Sequence, residues 1–342
     1  MAFLFGRTYI DKNTLYRYNQ PMKLMLTNNS HLRNLDHALS ISDLSNPSTL
    51  EITTNDRWIN VHPASLTFVA ALALVAGKKN SAIDKNASKS GSYLDRMGLY
   101  SFLNTPSPFG IKKKESAGRF IPLTIIKTQD EQSKFVTEMT PLLHLGKEQS
   151  TAFRYVIGEL IRNVIEHSGS RNGAIVAAQF YARKNKISIG ICDTGIGLKG
   201  SLDRLHHPQD DLAAIRLALR PGISGATLRT DGDEQNHGAG LFVVKSLARV
   251  TRDYFFIYSG DSSYKLTKHD IRTFSPRVNN DPFDDPHSVN DGLPNFDGTL
   301  IGLDITLDET AEFSALFENI KKAYSHAMRE RRQKIYRRPD FI

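Results

Sequence analysis

Glu159 and Asn163 stand four residues apart in "ELIRNVIEHSG", residues 159–169. On a helix that spacing brings two side chains to one face, within reach of one small target. A carboxylate so placed can take a proton from an attacking water or hydroxyl. An amide oxygen can ligate Mg²⁺, a hard cation that prefers oxygen. Glu166 continues the strip, and no catalytic role is assigned to it. Taken alone, the strip reads more readily as the polar edge of an amphipathic helix whose arc is Phe153, Val156, Ile157, Leu160, Ile161 and Val164.

Three further stretches carry chemistry. In "ICDTGIGLKG", residues 191–200, an apolar strand runs into Asp193, Gly195 and Gly197. An ionised Asp at a strand end can accept from an exocyclic amine such as that of adenine, and the glycines permit close backbone approach. A plain strand-to-loop turn would look the same, and no G-x-G-x-x-G opens a helix here. In "NHGAGLFVVKSLARV", residues 236–250, Gly238 and Gly240 precede an apolar-periodic helix. Backbone N–H groups at such a start favour anionic oxygens, although a simple glycine turn is the plainer alternative. No Walker-type P-loop occurs. Finally, Gly298 and Thr299 lead into a strand in "FDGTLIGLDITL".

In this order, the four stretches resemble the ATP-binding domain of the GHKL superfamily, shared by gyrase-type topoisomerases, heat-shock chaperones, histidine kinases and mismatch-repair ATPases. "ELIRN" matches the N-box, "DTGIG" and "GAG" the two glycine boxes, and "GT" the final strand, over residues 147–308. The resemblance implies that Asn163 holds Mg²⁺ against the phosphates of ATP. It implies that Asp193 binds the adenine amine with help from Thr299, and that Gly195 and Gly197 line the base and ribose side. Gly238, Gly240 and Leu241 would offer backbone to the phosphates, and residues 199–237 would contain a mobile lid. Glu159 matches the general base of the hydrolytic members and of the anti-sigma serine kinases. No phospho-acceptor motif precedes the N-box; His144 in "PLLHLGKE" reads as a helix-end histidine, so a conventional histidine kinase is not expected.

These residues need elements to hold them. The pattern predicts a helix over 147–167, strands over 173–182 and 186–195, and a helix after Gly240. It predicts further strands over 253–260 and 299–307, with a polar, Pro-rich insertion at 266–298 unsuited to a core element. The fold class expected is α+β: a C-terminal two-layer α/β sandwich of the GHKL (Bergerat) type, residues 146–310, with helices on one face of an antiparallel or mixed sheet. Residues 1–145 are expected to form a smaller mixed α/β domain that regulates or binds a partner. Its predicted parts are strands at 50–55 and 57–61, a helix at 64–76, a loop at 78–92, a helix at 93–103, a strand at 119–128 and a helix at 130–146. This part faintly resembles STAS-type domains. Residues 311–342 are read as a basic helix and tail.

The 342 residues are enough for two cores, and 40% hydrophobic with 23% charged residues is ordinary for a globular chain. Within 321–342, eight Lys or Arg face only Glu330 and Asp340, which leaves six of the eight net positive charges there. That end is either a solvated surface or a contact for nucleic acid, anionic lipid or an acidic partner. No secretory signal or membrane span is read, and Cys192 is the only cysteine and is expected to be buried and inert; a cytoplasmic setting is expected. Trp58 reads as a core or interface aromatic, and His206, His207 and His237 lack metal-ligand spacing. The expected function is an ATP-binding regulatory protein that hydrolyses Mg-ATP, with lid closure governing a protein partner or a second copy. A serine/threonine kinase of the anti-sigma type and a non-hydrolysing ATP sensor are the alternatives.

Overall fold

The computed structural model describes residues 21–45, 47–55, 60–84, 91–109, 120–139, 141, 147–223, 225, 240–267, 278–306 and 311–335. Strand β1 (Met22–Leu26) alternates buried and exposed side chains, as a strand with one covered face must. Helix α1 (Leu35–Ser40) returns the chain to β2 (Leu50–Thr54), which pairs with β1 in parallel. Helix α2 (Pro63–Ala76) follows; Pro63 suits its first turn, and the His62 ring accepts the Ala64 N–H at 3.0 Å as the cap. Almost every side chain of α2 is buried, so it has little solvent face.

Strand β3 (Ser81–Ile83) completes a parallel three-stranded sheet in the order β1-β2-β3. It lies where the sequence pattern gives a loop, because three residues are too few to display a period. The helix expected over 93–103 is two short ones, α3 (Ser92–Arg96) and α4 (Leu99–Phe102), broken at Gly98, where φ is +81°. Val61 makes only an isolated bridge to Ser30, and residues 57–59 of that expected strand, with Trp58, lie outside the described residues.

The second sheet is built from β4 (Phe120–Ile126), β5 (Ala174–Tyr181), β6 (Lys186–Cys192), β7 (Phe255–Gly260), β8 (Ser262–Leu266), β9 (His287–Asn290) and β10 (Phe296–Thr306). Its order is β4-β5-β6-β10-β7-β8-β9, open and antiparallel throughout. Strand β4, from the front section, pairs with β5 and so joins this sheet. The remaining helices are α5 (Gln129–Met139), α6 (Lys147–His167), α7 (Gly197–His206), α8 (Asp211–Ala218), α9 (Gly240–Val250) and α10 (Ala311–Ile335).

Both sheet faces are covered. On one, α6, α9 and α10 bury residues such as Phe153, Leu160, Phe242 and Ile320 against Val176, Ile189, Ile257 and Leu303. On the other, α2 and the three-stranded sheet share a core with Ile175, Ala177, Cys192, Phe256, Tyr258 and Leu300. Gly190 and Gly302 face each other across β6 and β10, and α2 sits on this bare patch. A Cβ on Gly190 would lie 2.3 Å from the Ala64 nitrogen. Beside the patch, buried Asp304 accepts from Ser188 at 2.5 Å, Lys186 at 2.7 Å and His62 at 3.2 Å. Burial pushes Asp304 up, but the His62 bond and Lys186 outweigh it and hold the carboxyl well below its ordinary range.

The stretch read as a polar insertion supplies β9 and a buried anchor. Asp285 pairs with Lys245 of α9 at 2.5 Å and with Arg249 at 3.3 Å, all largely hidden from solvent. Burial lowers the Lys245 pKa against the pull of Asp285. Polar residues enter this core because they arrive paired.

Candidate functional site

A cavity of about 350 Å³ opens between α6, α7, α8, α9 and the ends of β6 and β10. The arc of α6 is buried as its period requires, yet Glu159 is only 7% exposed while Glu166 is exposed. The strip is therefore not a uniform solvent edge: it tilts from a buried acid, through half-buried Asn163, to the surface. Glu166 lines the outer part of the cavity and accepts from Gln129 at 3.4 Å.

Burial raises the Glu159 pKa; Arg162, 2.5 Å away, opposes the rise, and Glu166 adds to it. Gly240, the first residue of α9, lies against this end. A Cβ there would sit 3.0 Å from Glu159 Oε2 and 3.3 Å from Asn163 Nδ2. Glycine thus leaves open a small space bounded by carboxylate, amide and a helix start.

At the other end, Asp193 follows β6 and is 3% exposed. Its N–H bonds the Thr299 carbonyl at 3.0 Å, and its carboxylate accepts the Gly195 N–H at 2.8 Å. Burial pushes its pKa up to about 7, while backbone hydrogen bonds at Gly195 and Thr299 restrain the rise. Gly197 has φ of +69° and lines the cavity, as do Leu241 and Thr299.

Gly195 does not line the cavity: a Cβ on it would meet the Ser168 carbonyl at 2.0 Å, so it lets the strand end lie flat on the end of α6. Gly238, the alanine between the two glycines, His144 and His237 lie outside the described residues. Of the expected lid, α7 and α8 supply Leu198, Leu202 and Ala218 to the cavity wall, while residues 224 and 226–239 lie outside the described residues.

Sequence reasoning overlooked three contributors. Arg162 was inside the quoted motif, and its three-residue spacing from Glu159 was the available signal. Ser259 of β7 accepts the Leu198 N–H at 2.9 Å, donates to the Gly298 carbonyl at 2.8 Å and stands 3.4 Å from the Thr299 hydroxyl. The Ser168 hydroxyl donates to Val164 at 2.7 Å, and its carbonyl accepts the Ile196 N–H at 2.8 Å. A single serine at an element end carries no pattern that would mark it.

The cavity is thus two-ended. One end offers a buried acceptor, Asp193, beside a hydroxyl; the other offers a carboxylate, an amide, a guanidinium and a glycine helix start. The wall between is apolar, with Val164, Leu202 and Ile301. Such a site can accept a hydrogen bond from a ligand at one end and offers a guanidinium and a helix start at the other. Among the described residues no group of three or more His, Cys, Asp or Glu side chains is placed to hold a metal ion. Asn163 could therefore serve a hard cation only together with ligand oxygens. Cys192, beneath α2, is buried and its thiol pKa is pushed up by burial. Among the described residues no helix is long and apolar enough to cross a membrane. No protein-family model and no curated protein sequence matches the chain.

Proposed function

We propose that the chain binds Mg-ATP in this cavity, hydrolyses it, and has a GHKL-type (Bergerat) ATP-binding fold. The observation that carries the reading is convergence. Glu159 and Asn163 from α6, Asp193 after β6, Gly197 at the start of α7, Gly240 and Leu241 from α9, and Thr299 from β10 line one cavity. They come from distant parts of the sequence, and nothing in ordinary core packing requires them to border one space.

Asp193 would accept the adenine amine, with the Thr299 hydroxyl beside it. Gly240 and Leu241 would present backbone to the phosphates. When bound, Mg²⁺ on the Asn163 amide oxygen and phosphate oxygens would offset charge on the triphosphate. Glu159 takes a proton from water as the water oxygen bonds to the terminal phosphorus. The bond from that phosphorus to the bridging oxygen breaks, and its electron pair leaves with ADP. A closing lid would alter the surface offered to a protein partner or to a second copy.

Glu159→Gln keeps the shape and removes the base. It is expected to bind ATP with affinity within about threefold of the parent and to lose roughly 10²–10⁴ in turnover. Hydrolysis at the parent rate would overturn the mechanism. Following the labelled terminal phosphate separates its fates: free phosphate marks an ATPase, and label on a protein marks a kinase of the anti-sigma type.

A further inference from the structure

The hydrogen bond between Arg162 and Glu159 falls on one particular oxygen. Arg162 Nη2 stands 2.5 Å from Glu159 Oε2. Oε2 is also the atom nearest the space above Gly240, 3.0 Å from where a Cβ would be. The oxygen that faces the anionic end of the cavity is therefore the oxygen already occupied by a guanidinium. A base whose lone pair is engaged by a cation is a poor proton acceptor.

Arg162 is also the only Lys or Arg among the described residues that line the cavity. Its side chain is 25% exposed, against 9% for that of Glu159, so it is the more solvent-accessible member of the pair. A terminal phosphate seated at this end carries more negative charge than one carboxylate and presents oxygens that match the guanidinium fork. Phosphate and Glu159 would compete for the same donor.

The geometry points to Arg162 as a positioning residue that exchanges partners: it holds Glu159 in the empty or ADP-bound site and moves to the terminal phosphate of ATP. Release of Oε2 then makes Glu159 able to accept the water proton only when there is a phosphate to cleave. ADP lacks the terminal phosphate and leaves the pair closed. The inference rests on the Mg-ATP reading of the cavity and adds to it a reason for the order of events.

Among the described residues, the other titratable groups near Glu159 are Glu166, His167 and Tyr155 on the same helix, with Asp193 at the far end of the same cavity. Gly240, Leu241 and Ile301, from α9 and β10, do not titrate. Loss of the guanidinium therefore removes the cation that touches the acid and holds it down.

The test uses the full chain and two variants, Arg162→Met and Arg162→Lys, with circular dichroism to establish that each is folded. Calorimetric titration with Mg-ATP and Mg-ADP is paired with the pH profile of kcat/KM. In Arg162→Met, ATP binding is expected to weaken about tenfold while ADP binding changes less than twofold. The acid limb of its kcat/KM profile, which reports the ATP-free enzyme where the pair is closed, should move to higher pH, because a carboxylate without its cation titrates later. Arg162→Lys should recover part of both effects. Equal weakening of ATP and ADP, or an unmoved acid limb, would overturn the exchange. If the parent binds no ATP, the underlying reading fails and this inference with it. If the parent binds and hydrolyses ATP but Arg162→Met discriminates ATP from ADP as before, only the exchange fails.

Discussion

Asp193 is buried, and burial pushes its pKa up to about 7. Its unfolded-state value would be about 3.9. Between these values the empty folded protein holds a proton that the unfolded chain has released, so its stability falls as pH rises through that window. Asp193→Asn removes the titration while keeping an acceptor for the Gly195 N–H. The variant is expected to equal the parent in denaturant melts near pH 4 and to exceed it by on the order of 2–4 kcal/mol at pH 8. The same substitution should abolish adenine-nucleotide binding. In the parent, affinity should drop as pH falls below about 7, since the amine needs an ionised acceptor; titrations at pH 6 and pH 8 read this directly. Asp193 stood out in the sequence as an acid between an apolar strand and two glycines, a pattern that a plain strand-to-loop turn shares; its burial was not legible there. The tilt of the α6 strip was not legible: Glu159 and Glu166 occupy one edge on paper, and only packing against α9 buries one and leaves the other outside.

At the scale of elements, α9 opens on a glycine, a residue that costs a helix stability. Glycine is about 1 kcal/mol worse than alanine within a helix. Gly240→Ala should gain part of that, yet place a methyl group 3.0 Å from Glu159 Oε2 and 3.3 Å from Asn163 Nδ2. The expected outcome is a melting temperature equal to or above the parent's with turnover reduced at least tenfold; undiminished turnover would show that the space is not used. The long periodic helices and the strands flanking the site could be read from pattern alone. Strands β3 and β9 could not. The first is three residues long, and the second follows a stretch whose acids are neutralised by partners far away in sequence, Asp285 by Lys245 and Arg249, and Asp281 by Arg216.

For the whole molecule, the decisive contact is between α2 and the glycine pair of the antiparallel sheet. Gly190→Val would drive a side chain into the backbone of Pro63 and Ala64, since even a Cβ would come within 2.5 Å of the Pro63 carbonyl carbon. Destabilisation of about 3 kcal/mol or more is expected by chemical denaturation. Cys192 supplies an internal reporter: it is buried on the same sheet face, so a thiol reagent should label it slowly in the parent and at least tenfold faster in the variant. Sequence could assign α2 to a buried position from its unbroken apolar run. It could not say against what, because the complementary signal is the absence of two side chains more than a hundred residues away.

This arrangement also bears on how the chain is made. The core under α2 draws on residues from Met22 to Leu103 and on Ile175, Cys192, Phe256 and Leu300. A ribosome adding about 5–20 residues per second would need roughly 10–40 seconds to travel from Leu103 to Leu300. Throughout that interval the apolar helix "PASLTFVAALALVA" has been synthesised but lacks the face that covers it. The nascent chain thus carries uncovered apolar surface until β10 is made, and slow translation late in the message would lengthen its exposure to aggregation.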